Sequence, residues 1–254
     1  MIRWVSLCLF LLLWPAQAAA EEKIIALLSQ NQISITTNFD GSELDISGAV
    51  ERYAPPPEGP LDVIVIIIGP SEPVIVRKKE RQFGIWINDA GVKVDRAPSF
   101  YAISTTRPLE DIISHTEDFR HKVGLEYSVR LIGETTDVAY PEEYRLAAIR
   151  LNEARGLYFE QTGGVTLKND TLFQTNVRLP AQLVEGDYRA RILLLRDLQV
   201  IDQHEQTIAV RKVGLERLIY TMATEQPAIY GVISIAVALA AGWLASAFFR
   251  FFLP

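Results

Sequence analysis

The chain has 254 residues, 49% of them hydrophobic, with a formal net charge of -6. That is enough apolar material for one or two packed domains and a membrane segment. The acidic balance argues against nucleic acid and against adhesion to anionic lipid. The single cysteine, Cys8, lies in the N-terminal leader, so the chain beyond the leader offers no disulfide, thiolate metal site or cysteine nucleophile.

Residues 1–20 read as a signal peptide. Met1-Ile2-Arg3 supplies a positive start, Trp4 to Trp14 an apolar run, and Ala16-x-Ala18 or Ala18-x-Ala20 a small-residue cleavage site. The alternative is an uncleaved signal anchor, which would leave both termini in the cytoplasm.

Residues 21–107 read as a first β-sandwich domain. Ile33, Ile35, Thr37 and Phe39 alternate with polar residues, the period of a half-buried strand. Asp40-Gly41 reads as a turn, and Glu43 to Val50 as the next strand. The run Ala54-Pro-Pro-Pro57-Glu-Gly-Pro60 cannot sit in a sheet. Asp62 to Ile68 is continuously apolar and β-branched after its first residue, as a strand covered on both faces would be. Val74–Val76, Phe83–Ile87 and Phe100–Ser104 read as further strands. Arg77, Lys79 and Arg81 belong to the densest charge run, which is either an anion patch or a solvated edge where lysine blocks pairing. Trp86, Asn88, Phe100 and Tyr101 are candidates for an interaction surface, with the core as the competing reading for the aromatics.

Residues 108–156 read as a helical segment. Leu109, Ile112, Ile113 and Thr116 follow helical spacing after Pro108, with Glu110 and Asp111 in the first turn. His115 and His121 are six apart, which puts them on opposite faces of a helix, so surface histidines are expected rather than a metal pair. Leu125 to Leu131 alternates like a strand. Pro141 to Gly156 is the clearest helix, with Tyr144, Ala147, Ala148 and Leu151 as its expected buried stripe.

Residues 157–212 read as a second β-sandwich domain. Gly163-Gly164 reads as a hairpin turn and Lys168-Asn169-Asp170 as another. Tyr188, Ala190, Ile192 and Leu194 face one way along a late strand. A tyrosine entering such a strand is the signature of the tyrosine corner of immunoglobulin-like sandwiches, here without their cysteines.

Residues 213–226 form an amphipathic linker with Val213, Leu215, Leu218, Ile219 and Met222 as its stripe, suited either to a membrane surface or to the second β-domain. Residues 227–249 carry no charge, long enough to cross a hydrocarbon core of roughly 30 Å. Ser234, Ala238, Gly242 and Ser246 recur at steps of four, a face on which two helices can pack closely. Residues 250–254 would be a cytoplasmic tail.

The stretches Arg77 to Asn88, Pro98 to Thr105, Leu179-Pro180, Gly186-Asp-Tyr188 and Lys212 to Glu216, taken together, resemble the alphaproteobacterial Putative transmembrane protein family. The likeness runs from the leader's end to the anchor. Where that family shows Asp-Gly in the last hairpin, this chain has Asp197-Leu198. The resemblance implies membrane attachment and association with sulfite-exporter-like permeases, and supplies no catalytic residues.

The expectation is therefore a mainly β protein: two immunoglobulin-like sandwich modules, a helical middle and one C-terminal transmembrane helix. It sits in the inner membrane with its body in the periplasm, held by the lipid bilayer, and uses its anchor to meet an integral membrane partner or a second copy. No cofactor, metal, nucleic acid or catalytic activity is expected. The competing reading is a periplasmic domain that binds or senses a small anion.

Overall fold

The computed structural model describes residues 22–36, 39–131 and 141–252. The expected signal peptide and residues 253–254 lie outside the described residues, as does Thr37 of the first expected strand.

The strands are β1 (Glu22–Leu28), β2 (Gln32–Ile35), β3 (Gly41–Arg52), β4 (Leu61–Ile68), β5 (Ser71–Gln82), β6 (Ile85–Pro98), β7 (Tyr101–Thr105), β8 (Arg130–Leu131), β9 (Tyr158–Thr162), β10 (Val165–Lys168), β11 (Leu172–Pro180), β12 (Gly186–Arg196) and β13 (Gln199–Lys212). The helices are α1 (Leu109–Ile112), α2 (His115–His121), α3 (Pro141–Ala154), α4 (Leu215–Glu225) and α5 (Pro227–Phe252). The protein is mainly β with one long apolar helix at its C-terminal end.

One sheet has the order β1-β3-β11-β10 and is antiparallel throughout. A second has the order β2-β13-β12-β4-β7-β9, antiparallel except for its two edge pairs, β2 with β13 and β7 with β9. With β1, β3, β4, β10, β11, β12 and β13 in the places of strands A to G, the sheets read A-B-E-D and G-F-C, the order used by immunoglobulin sandwiches. Leu44, Ile46, Phe173 and Val177 of the first sheet meet Val63, Val65, Ile192 and Leu194 of the second in the main core.

The opposite face of the second sheet is also covered. Ile64, Ile66, Ile103 and Leu193 pack against Ile112, Val123, Val129 and Ile149 of the helical segment. This explains why β4 is apolar at successive positions rather than alternate ones: every residue of it is buried.

Several expectations change. Strands from residues 21–107 and 157–212 share both sheets, so they form one sandwich rather than two; distant segments complete each other's ladders. β1 is an additional strand, with Ile24 and Ala26 alternating over too short a stretch to stand out in the sequence. Gly163-Gly164 links strands in different sheets and is a crossover, not a hairpin turn. The helix expected from Pro108 breaks at Ile113, which is extended, and restarts at Ser114, whose hydroxyl accepts from the Glu117 amide. Leu125–Tyr127 is a 3₁₀ turn, leaving only Arg130–Leu131 as strand. The α3 stripe is rotated: Ala148 and Ile149 are buried while Leu151 is exposed.

Candidate interaction surface

The second sheet continues past the end of the sandwich. Beyond Ile68 opposite Tyr101, the Gly69 amide donates to the Phe100 carbonyl and the Ser99 amide to the Pro70 carbonyl, each at 2.8 Å. Ser71 then pairs with Pro98, so β4–β5 and β6–β7 run on as one long antiparallel pair, joined near its root by β8 beside β6 in a three-stranded sheet and continuing outward as a ribbon of β5 and β6. Gly69 sits where the strands press closest: a Cβ there would lie 2.6 Å from Ser99 Oγ. Register shifts between Glu72 and Val74 and between Arg77 and Lys79 bend the ribbon. Val76 and Val94 tie its inner half to the helical layer.

The ribbon closes at Phe83-Gly84, both with positive φ (49° and 85°), a two-residue turn of type I′. Phe83 therefore belongs to the turn rather than to a strand. Residues directly opposite in an antiparallel pair project from the same face. Lys79 faces Asn88, Arg81 faces Trp86, and Gln82 faces Ile85. The structure thus joins two separate sequence candidates, Lys79 and Arg81 with Trp86 and Asn88, on a single face. Trp86 is 68% exposed, Ile85 65%, and Phe83 fully so.

Phe100 and Tyr101 are not on this surface. They are 0% and 2% exposed. Phe100 meets Phe159 and Tyr188 edge-on or tilted in the main core, and Tyr101 lies against Tyr158 on the sheet's other side. The Tyr101 hydroxyl reaches the carbonyls of Lys122 and Val123 at 3.0 and 2.9 Å, and burial pushes its pKa up to about 12. Both aromatics start a strand covered on two faces, which the local sequence does not reveal.

Between β5 and α3 runs a groove of about 1030 Å³. Arg77, Lys78 and Lys79 form one wall; Tyr144, Leu146 and Leu151 belong to the other. Lys78 Nζ stands 4.0 Å from Glu143 Oε2, and Glu126 and Glu153 also line the groove. An anion entering here meets carboxylates among the cations. Arg81 is not among the residues that line this groove.

His121 has structural surroundings. His121 Nε2 lies 3.4 Å from Glu117 Oε2, one helical turn back, and its Nδ1 lies 3.3 Å from Gln203 Oε1. The Arg191 guanidinium donates to the His121 carbonyl at 2.5 Å, and burial lowers its pKa below the usual arginine value. These contacts bind α2 to the second sheet. Among the described residues, no three His, Cys, Asp or Glu side chains cluster so as to hold a metal.

The apolar stretch Pro227–Phe248 has a mean hydropathy of 2.0 and is unburied by the rest of the chain. Ser234, Ala238, Gly242 and Ser246 are all exposed along it, and a Cβ at Gly242 would meet nothing within 4 Å. Ile219 and Tyr220 of α4 are exposed as well, whereas the side chains of Leu215 and Leu218 lie outside the described residues.

Residues 23–251 match the family described as Putative transmembrane protein (Alph_Pro_TM), and the chain belongs to it. No curated protein matches the chain. Family membership agrees with the one helix that, among the described residues, is long and apolar enough to cross a membrane.

Proposed function

We propose that this protein is a non-catalytic accessory subunit of the bacterial inner membrane, holding its sandwich in the periplasm beside an integral membrane partner. The observation that carries this reading is the α5 surface. It is apolar and left unburied by the rest of the described residues, yet it has small residues at steps of four on one side. Lipid-facing positions have no need of small side chains, whereas close helix packing does.

The resemblance suggests a sulfite-exporter-like permease as the partner. The test is purification of the tagged full chain in mild detergent. A stoichiometric permease in the eluate supports the proposal, and recovery of the chain alone, together with unchanged helix cross-linking in Gly242→Leu, refutes it. A small-anion sensor is the second reading, favoured by Arg77, Lys78 and Lys79 lining the α3 groove. It requires the melting temperature to rise with sulfite or thiosulfate.

A further inference from the structure

The outer half of the ribbon, Arg77 to Gly91, ends in exposed aromatic and aliphatic side chains that no other described part of the chain covers. Its location follows from strand register. Arg189 of β12 lies beside Ile68 of β4, and Gly186 of β12 beside Val210 of β13. A Cβ at Gly186 would meet Pro70 at 2.7 Å, so the root of the ribbon and the end of β13 are level. From there the ribbon runs outward, and β13 runs outward through Lys212 to α4 and the membrane-spanning helix. The opposite end of the sandwich carries the Asp197-Leu198 turn.

The reach is adequate. From Ser71 to Gln82 the ribbon adds 12 residues, at most about 40 Å at the usual strand rise. The 11 residues of α4 span only about 16 Å as a helix. At full extension the ribbon is therefore longer than α4, which separates the sandwich from α5.

The chemistry is that of an interface. Phe83, Ile85 and Trp86 are exposed at the tip, and Arg77, Lys78, Lys79 and Arg81 stand behind them, with Glu80 among them in the strand and Glu143 4.0 Å from Lys78 Nζ, in a chain of net charge -6. Aromatics at headgroup depth with cations above them are how amphipathic elements rest on anionic lipid. The overall acidity does not oppose this, because exposed charges beyond about 10 Å are screened at ordinary salt. Phe83 also occupies a left-handed position that favours Asn or Gly, so the turn keeps a bulky aromatic at a conformational cost.

We infer that the β5–β6 tip is a second membrane contact, in which Phe83, Ile85 and Trp86 enter the headgroup region of the same bilayer that α5 crosses while Lys79 and Arg81 meet anionic lipid. The inference rests on membrane anchoring and not on the identity of any protein partner. It orients the sandwich, since anchor and tip would hold it at two points.

The test uses the full chain with Cys8→Ser, carrying a single environment-sensitive fluorophore on Phe83→Cys or, as control, Leu198→Cys. Each is reconstituted alone into phosphatidylcholine vesicles with or without phosphatidylglycerol, and quenched by lipids spin-labelled near the headgroup. The expected result is at least about twofold quenching at position 83, as for a group resting roughly 5–10 Å into the boundary. Quenching should be stronger with phosphatidylglycerol, weakened by Lys79→Glu with Arg81→Glu, and absent at 198. A probe at 83 that stays open to aqueous iodide and is unquenched by lipid overturns the inference. So does a probe shielded from iodide but still unquenched by lipid, which would place the tip against a second copy of the chain.

Discussion

The Tyr188 hydroxyl donates to the backbone carbonyl of Val184, four residues upstream, at 3.0 Å. Tyr188 is the third residue of β12, its ring is buried against Phe100, and the bond fixes how the chain enters the central strand of the second sheet. This is the hydrogen bond that defines a tyrosine corner. Tyr188→Phe keeps the ring and removes only the hydroxyl, so it should lower stability by about 1 kcal/mol. Tyr188→Ala also empties the core and should cost roughly 3–5 kcal/mol. Denaturant titration of the detergent-solubilised chain separates the two, and equal losses would mean the bond contributes nothing.

At the other end of the sandwich, Arg196 donates to Glu22 through Nε and Nη2, each at 3.1 Å, while its Nη1 reaches the carbonyl of Pro57 at 3.1 Å. Arg52 also bonds Glu22, and Arg196 also bonds the Gly59 carbonyl. Both Glu22 and Arg196 are buried. The cluster pins β1 and the proline-rich loop to β12. Arg196→Ala leaves a buried carboxylate short of its main partner and should cost about 3–5 kcal/mol. The Pro57–Gly59 loop should become protease-sensitive in the same variant. If limited proteolysis is unchanged there, Arg196 does not hold the loop.

Burial raises the pKa of three tyrosines, Tyr101, Tyr158 and Tyr188, and the first two carry the larger shifts. Burial raises Tyr101 to about 12 and holds Tyr158 higher still, with its hydroxyl donating to the Pro98 carbonyl at 2.6 Å. Their folded pKa values lie above the unfolded value of about 10. The folded state therefore keeps protons that the unfolded state loses, and stability falls as pH rises. The stabilisation is complete below about pH 10 and is lost between there and about pH 12 and above, on the order of 2–3 kcal/mol for Tyr101. Tyr101→Phe should flatten that decline, read as melting temperature against pH. An equal slope in the variant would place the alkaline transition elsewhere.

What local sequence could reveal here was whatever local forces determine. The apolar length of α5, the proline start and glycine end around α3, and the β-branched run of β4 depend on neighbours in the chain, and each was legible. Pairing depends on distant segments. Nothing near Val177 states that it lies beside Leu44, or near Ala209 that it lies parallel to Gln32. The same limit hid the fate of the site candidates. Trp86 and Tyr101 look alike in sequence, as aromatics in short strands. One lies beyond the sandwich and the other beneath α2, and only the register tells them apart.

Two hairpins then offer a matched comparison of strain with and without purpose. Asp197-Leu198 and Phe83-Gly84 both close two-residue loops with positive φ at each position, and in each a bulky residue stands where its Cβ is crowded. Leu198→Gly relieves the crowding but gives up some rigidity in the unfolded chain, for a net gain of about 0.5–1 kcal/mol. Phe83→Asn should likewise stabilise the ribbon by about 0.5–1 kcal/mol, read as slower hydrogen exchange at the amides of Gln82 and Ile85. The functional outcomes should diverge. With a fluorophore placed on Ile85→Cys in the Cys8→Ser background, Phe83→Asn should reduce quenching by spin-labelled lipid, because it removes the aromatic at the leading edge of the tip. Leu198→Gly should leave that signal unchanged. If Phe83→Asn tightens the hairpin and membrane contact is undiminished, the aromatic is not what holds the tip in the bilayer, and the reason for a strained phenylalanine at this turn must lie in another contact.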